Sequence, residues 1–137
     1  MYGIYPHTLD SKGRLFVPAK LREELGDVFY VTVAEGCLNI YSMERWAELE
    51  EKVRTMPRKL RIATRPIFTH AARCELDGQG RILLPQFLRD YAHLTKNVTV
   101  VGDVDCAEIW DTDTWNAIDE QEISPENIRR IYEEIDL

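Results

Sequence analysis

Leu9-Asp-Ser-Lys-Gly-Arg-Leu-Phe-Val-Pro-Ala-Lys-Leu-Arg22 and Leu76-Asp-Gly-Gln-Gly-Arg-Ile-Leu-Leu-Pro-Gln-Phe-Leu-Arg89 are the same pattern written twice in one chain. At an offset of 67, seven of the fourteen positions are identical and three more exchange one apolar residue for another. An internal repeat decides the architecture before any local reading does. The retained residues include an Asp, a Gly, two Arg and a Pro, so chemistry is duplicated along with core positions.

Working outward, Tyr5 to Leu9 has strand character, Asp10 to Gly13 is a turn, and Arg14 to Val17 is a second strand. The Asp side chain can bond forward to the backbone and Gly supplies a positive φ, so the unit reads as a β-hairpin. Pro18 opens a helix, Ala19 to Leu25, that stops at Gly26. Two strands, Val28 to Val33 and Cys37 to Tyr41, follow, and Ser42 caps a helix to about Met56 with Trp46, Leu49, Val53 and Met56 on one face. The order then repeats. The strand His70 to Leu76 leads into the turn Asp77 to Gly80, the strand Arg81 to Leu84 and a helix from Gln86 to Tyr91. Strands Asn97 to Val101 and Ala107 to Trp110 and a helix around Thr114 to Ile118 complete it, with Trp115 answering Trp46. The later offset is 69, which places two extra residues between the helix and third strand of the second copy. The expected divisions are a first repeat at 5–47, a basic connecting helical segment at 48–73, a second repeat at 74–118 and a C-terminal amphipathic helix at 119–137. That last helix starts at Ser124-Pro-Glu and places Ile128, Ile131, Tyr132 and Ile135 on one stripe. It is expected to dock on its own or a neighbouring subunit.

With 137 residues, 45% hydrophobic and 30% charged, the chain has the size and composition of one fused globular unit. No apolar run is long enough for a membrane span, and the N-terminus has no signal-peptide pattern, so the cytoplasm is the expected compartment. Three cysteines, Cys37, Cys74 and Cys106, show neither disulfide nor zinc spacing and read as small buried apolar residues. The net charge of −7 is uneven: residues 51–73 carry seven basic residues against one acidic, while residues 74–137 carry five against fifteen. Screening over about 8 Å lets an acidic chain keep a local basic face.

The candidate chemistry lies in the two turns. Asp10 with Arg14, and Asp77 with Arg81, could be ion pairs across a hairpin mouth and nothing more. Exposed pairs contribute only about 0–1 kcal/mol, which is weak reason to build one twice. Alternatively each Asp orients an Arg whose planar fork is offered to phosphate or guanine. Arg54, Arg58, Lys59 and Arg61 form a possible secondary basic surface, either solvated and pairing with acidic groups or extending the surface that the turn arginines would offer. Arg22 and Arg89 also recur, and a structural ion pair is their expected role. No metal set, cofactor loop or hydrolase motif is present in the sequence, and His7 aligns with Cys74 as a packing counterpart rather than a catalytic partner. An enzyme is not expected.

The doubled motif, His7 to Arg22 repeated as Leu76 to Ala92 and followed by Glu108-Ile-Trp110, closely resembles the bacterial MraZ transcriptional regulators. These fall in the wider SpoVT/AbrB-like class of swapped-hairpin DNA-binding proteins. The resemblance implies an α+β fold in which two SpoVT/AbrB-like hairpin–helix repeats form a pseudo-twofold swapped-hairpin barrel with short helices. It also implies a ring-shaped homo-oligomer, and DNA as partner: direct repeats in the promoter of the protein's own division and cell-wall operon, regulated typically by repression. On that reading the protein is nucleoid-associated. The motif carries over onto Arg14, Arg81 and Lys12 as DNA-binding residues and onto Asp10, Asp77, Gly13 and Gly80 as support, with no cofactor or metal. Gln79 stands where the first copy has Lys12, so the first tip is expected to grip harder. The competing expectation is a ring-forming interaction or scaffold module of the same fold without DNA binding.

Overall fold

A computed structural model describes all 137 residues. In chain order the elements are β1 (Ile4–Thr8), β2 (Arg14–Phe16), α1 (Ala19–Leu25), β3 (Val28–Val33), β4 (Leu38–Ser42), α2 (Met43–Arg54), α3 (Arg58–Ala63) and α4 (Arg65–Thr69). They continue with β5 (Ala72–Glu75), β6 (Arg81–Leu83), α5 (Gln86–Tyr91), β7 (Asn97–Asp103), β8 (Cys106–Asp111), α6 (Thr112–Glu122) and α7 (Pro125–Glu134). Local signals act where the sequence puts them. Ser42 accepts from the Arg45 N–H at the start of α2, Ser124 accepts from the Asn127 N–H at the start of α7, and Gly26 ends α1 at φ 75°. The basic connection forms two short helices rather than one.

The strand pairing corrects one local expectation. β1 and β2 flank a turn but do not form a ladder with each other; β1 pairs with β7 and β2 with β6, all antiparallel. In the same way β5 leaves β6 and pairs with β3. The turn itself is closed, with the Gly13 N–H donating to the Asp10 carbonyl and the Asp10 N–H to the Arg14 carbonyl. Beyond it the strands part, because a short isolated hairpin buries too little to be stable while the other repeat offers an apolar partner edge. The fold is therefore α+β with exchanged hairpins.

All strands but two form one sheet in the order β1-β7-β8-β4-β3-β5, and β2 and β6 form a separate ribbon. Exchanging the repeats reverses that order onto itself, which is a pseudo-twofold. Its axis passes between Asn39 and Glu108, which face each other in β4 and β8, and between Leu15 and Ile82 in the ribbon. The ribbon bridges the sheet's two edges, since β1 runs into β2 and β5 into β6. The core obeys the same symmetry. Leu15 and Ile82, Val17 and Leu84, Leu21 and Leu88, Val31 and Val100, and Ile40 and Ile109 are equivalent pairs, each residue at most 1% exposed. One buried cluster draws on both repeats, so neither half owns a core of its own.

Two satellite clusters hold the helices. Trp46 of α2 stacks on Tyr30 at 4.7 Å between ring centroids and meets Phe68 of α4 edge-on, and Trp115 of α6 packs on Trp110. Thr32 of β3 donates to the Ile67 carbonyl, tying α4 to the sheet. Cys37 and Cys74 are buried, and Cys106 is half-buried. Burial pushes the Cys37 thiol up to about 12 and the other two to about 11. His7 and Cys74 hold equivalent register positions, opposite Val98 and Phe29. They lie on the two opposite edge strands, β1 and β5, and burial lowers the His7 pKa. The apolar stripe of α7 is covered only at its start: Ile128 is half-buried, while Ile131, Tyr132 and Ile135 are 42%, 54% and 57% exposed.

Candidate nucleic-acid interface

Each motif turn is organised by its aspartate. One carboxylate oxygen of Asp10, Oδ1, accepts the backbone N–H groups of Lys12 and Arg14, and the other, Oδ2, accepts Arg14 Nε at 2.6 Å. Asp77 repeats the arrangement with the N–H groups of Gln79 and Arg81 and with Arg81 Nε at 3.0 Å. Backbone N–H donation from Arg14 is the main reason the Asp10 pKa falls to about 2, with the Arg14 side chain and Lys12 N–H adding to it against desolvation. The Asp77 pKa is lowered by the same donors in its own turn, that of Arg81 first. Both aspartates are thus held as anions, and each fixes an arginine through Nε, leaving the terminal nitrogens of the fork, apart from Arg81 Nη1, for a ligand.

The exchanged pairing brings the two arginines together. In the ribbon Arg14 faces Leu83 and Arg81 faces Phe16, while Leu15 and Ile82 between them point into the core. Alternation then puts Arg14, Phe16, Arg81 and Leu83 on the outer face. Arg81 Nη1 lies 3.8 Å from Asp10 Oδ2, so the two motifs share one electrostatic unit across the axis. The Arg14 and Arg81 side chains remain 33% and 26% exposed, and Phe16 and Leu83 are exposed beside them.

Gly13 and Gly80 are buried at φ 82° and 75°, and each is overlain by an arginine of the other repeat. A Cβ on Gly13 would sit 2.6 Å from Arg89 Cζ, and one on Gly80 would sit 2.6 Å from Arg22 Nη1. This corrects the expected role of Arg22 and Arg89, neither of which has a carboxylate partner. Arg89 Nε donates to the Leu84 carbonyl at 3.0 Å, and the Arg22 guanidinium lies 5.2 Å from the Phe16 ring centroid. Four guanidinium groups therefore gather at the two motif turns. Sequence spacing suggested Arg22 and Arg89 as a recurring pair, but their approach to the opposite turn depends on strand exchange.

The other basic candidates lie elsewhere. Arg54 of α2 pairs with Glu50 and Glu51 in solvent. Arg58, Lys59 and Arg61 of α3 have no carboxylate within 4.0 Å, and no hydrogen bond or ion pair links them to either turn. Lys12 is exposed at the first tip, and Gln79 at the second. No group of three or more His, Cys, Asp or Glu side chains is placed to hold a metal ion. No helix is long and apolar enough to cross a membrane.

Exchanged hairpins, an internal twofold and paired Asp–Arg turns on one outer ribbon define a duplicated swapped-hairpin protein of the SpoVT/AbrB-like class. The family described as "MraZ protein, putative antitoxin-like" matches residues 1–64 and 67–133. The transcriptional regulator MraZ of Alkaliphilus metalliredigens is 44% identical over 97% of this chain and 96% of its own. That of Moorella thermoacetica is 50% identical over 82% of each chain, and that of Caldicellulosiruptor saccharolyticus 41% over 98% of each. The chain belongs to the MraZ family of transcriptional regulators.

Proposed function

We propose that the protein binds DNA through the β2–β6 ribbon and regulates, as a repressor, the promoter of its own division and cell-wall operon. The observation that carries this reading is the juxtaposition of Arg14 and Arg81, each held through Nε by its own aspartate and linked across the axis by the Arg81–Asp10 contact. A two-stranded ribbon fits the major groove of B-DNA, where an arginine fork pairs with guanine and apolar side chains meet thymine methyls. Phe16 and Leu83 are the apolar groups so placed. Such a protein works in the cytoplasm, on the nucleoid.

One ribbon makes few contacts, and repetition of the subunit supplies the rest. Subunits related head to tail close into rings in which every copy faces the same way, a geometry suited to direct repeats in DNA. The exposed part of the α7 stripe is the surface one copy offers the next. Its segment, 119–137, carries seven acidic residues against two basic, complementing the basic 51–73 segment.

Footprinting on the DNA upstream of its own gene tests the reading. Protection of tandem same-orientation sites by the wild type, lost in Arg14→Ala and Arg81→Ala variants that keep their oligomeric state, is the expected result. Unchanged protection by both variants refutes the ribbon as the DNA surface, and assembly without any protection favours an interaction module.

A further inference from the structure

The pseudo-twofold of the fold is broken in charge at equivalent positions beside the ribbon. The Leu9 N–H, just before the first motif aspartate, donates to the Lys96 carbonyl; the Leu76 N–H, just before the second, donates to the Asp27 carbonyl. Lys96 and Asp27 are therefore structural twins, both exposed, with opposite charges. Each lines a groove that runs from a motif turn to the first helix of the other repeat. Lys96 shares its groove with Asp10 and Arg89. Asp27 shares its groove with Asp77, Arg22 and Glu23. Asp90, the counterpart of Glu23, is occupied by Gln86 Nε2 at 2.8 Å. The Lys12 and Gln79 difference falls at the same two tips and has the same sign. At these two pairs of positions the first side has two lysines, Lys12 and Lys96, where the second has Gln79 and the carboxylate of Asp27.

We propose that Lys96, with Lys12 and Arg89, forms a phosphate-binding clamp at one end of the ribbon, so that each subunit lies on the DNA in a single orientation. This rests on the ribbon being the DNA surface. The geometry supports a phosphate contact rather than a base contact. Lys96 lines a groove next to the first turn and is not one of the ribbon's own residues, and an ammonium on a flexible stem binds phosphate as a point charge. Phosphate contacts set register and orientation without reading sequence. A symmetric ribbon would have equal affinity for both orientations of an asymmetric site. Asp27 repels the backbone at the other end, which removes that degeneracy and makes same-orientation sites the preferred target.

The test is fluorescence anisotropy of the full chain against two labelled duplexes over a series of salt concentrations: the native upstream segment, and one of scrambled sequence. Lys96→Ala is expected to weaken binding to both duplexes by the same factor and to flatten the salt slope by about one. Asp27→Lys, which restores charge symmetry, is expected to tighten both and steepen the slope by about one, while narrowing the preference for direct over inverted arrangements of the native site. Neither side chain is buried or bonded, and only their backbone carbonyls join the fold, so both variants are expected to fold. Unchanged affinity and slope for Lys96→Ala, alongside weakened binding by Arg14→Ala, overturns the clamp and leaves the ribbon reading intact. Absence of salt-dependent DNA binding by the wild type overturns both.

Discussion

Gly13 and Gly80 show how closely single residues are constrained here. Both need a left-handed backbone, and both give room to a guanidinium where a Cβ would collide. A Gly13→Ala variant therefore meets two costs, the left-handed backbone at roughly 1–2 kcal/mol and displacement of Arg89. The expected outcome is a loss of at least about 1 kcal/mol in urea unfolding. The same substitution at Gly26 meets no side chain within 4 Å of its added Cβ, so its whole cost is the backbone strain of a conformation, φ 75° and ψ −168°, that is open essentially to glycine alone. The motif aspartates give a second prediction at this scale. Their folded-state pKa values lie below the unfolded ones, so the stability they contribute is complete above about pH 4 and is lost as pH falls through the folded values, about 2 for Asp10. A double Asp10→Asn, Asp77→Asn variant should show a shallower fall of Tm over that window than the wild type. An identical slope would mean that the turns hold without their carboxylates.

At the scale of the element, α7 is a helix with its ends satisfied and its apolar stripe largely uncovered. Its cap and first-position proline explain why it forms, but nothing in the subunit explains the stripe. If a second copy covers it, Ile131→Asp reduces the assembly to smaller species in sedimentation velocity without changing the circular dichroism of the subunit. Truncation after Ile123 has the same effect. An unaltered sedimentation profile for both variants places the subunit contact elsewhere. The β2–β6 ribbon illustrates the opposite case: three residues per strand could not stand alone, and its stability comes from Leu15, Ile82, Val17 and Leu84 closing the core beneath it.

For the whole molecule the exchange of strands makes the two repeats one cooperative unit. β1 of the first repeat completes a sheet with β7 of the second, and β5 with β3. Unfolding followed by Trp fluorescence, which reports on the satellite clusters, and by far-ultraviolet circular dichroism should therefore give coincident transitions. Residues 1–64 expressed alone should be unfolded, because β1 and β2 lose their only partners, the β3–β4 pair loses a neighbour on each side, and their half of the core is open. Two resolved transitions would show instead that the repeats are separable domains.

Much of this was legible in the residues. The repeat, the turns, the helix limits at Ala19–Leu25 and Gln86–Tyr91, and the Asp-to-Arg pairing all follow from short-range rules: a proline start, a glycine stop, an aspartate bonding forward. The family resemblance supplied the exchange of hairpins, which the local reading alone had as two self-paired hairpins. Local signals specify a turn and an alternation but not which edge a strand joins, since every strand edge offers the same backbone donors and acceptors. That choice is made by burial of apolar surface between distant segments, and only the tertiary structure displays it. It is also what carries Arg22 to Gly80, Arg89 to Gly13 and Arg81 to Asp10, and what makes Lys96 and Asp27 counterparts. The sequence by itself determined which residues carry charge and where the backbone turns. The tertiary structure decided which of those charges share a face, because contacts between the repeats are set by the packing of a common core and not by proximity along the chain.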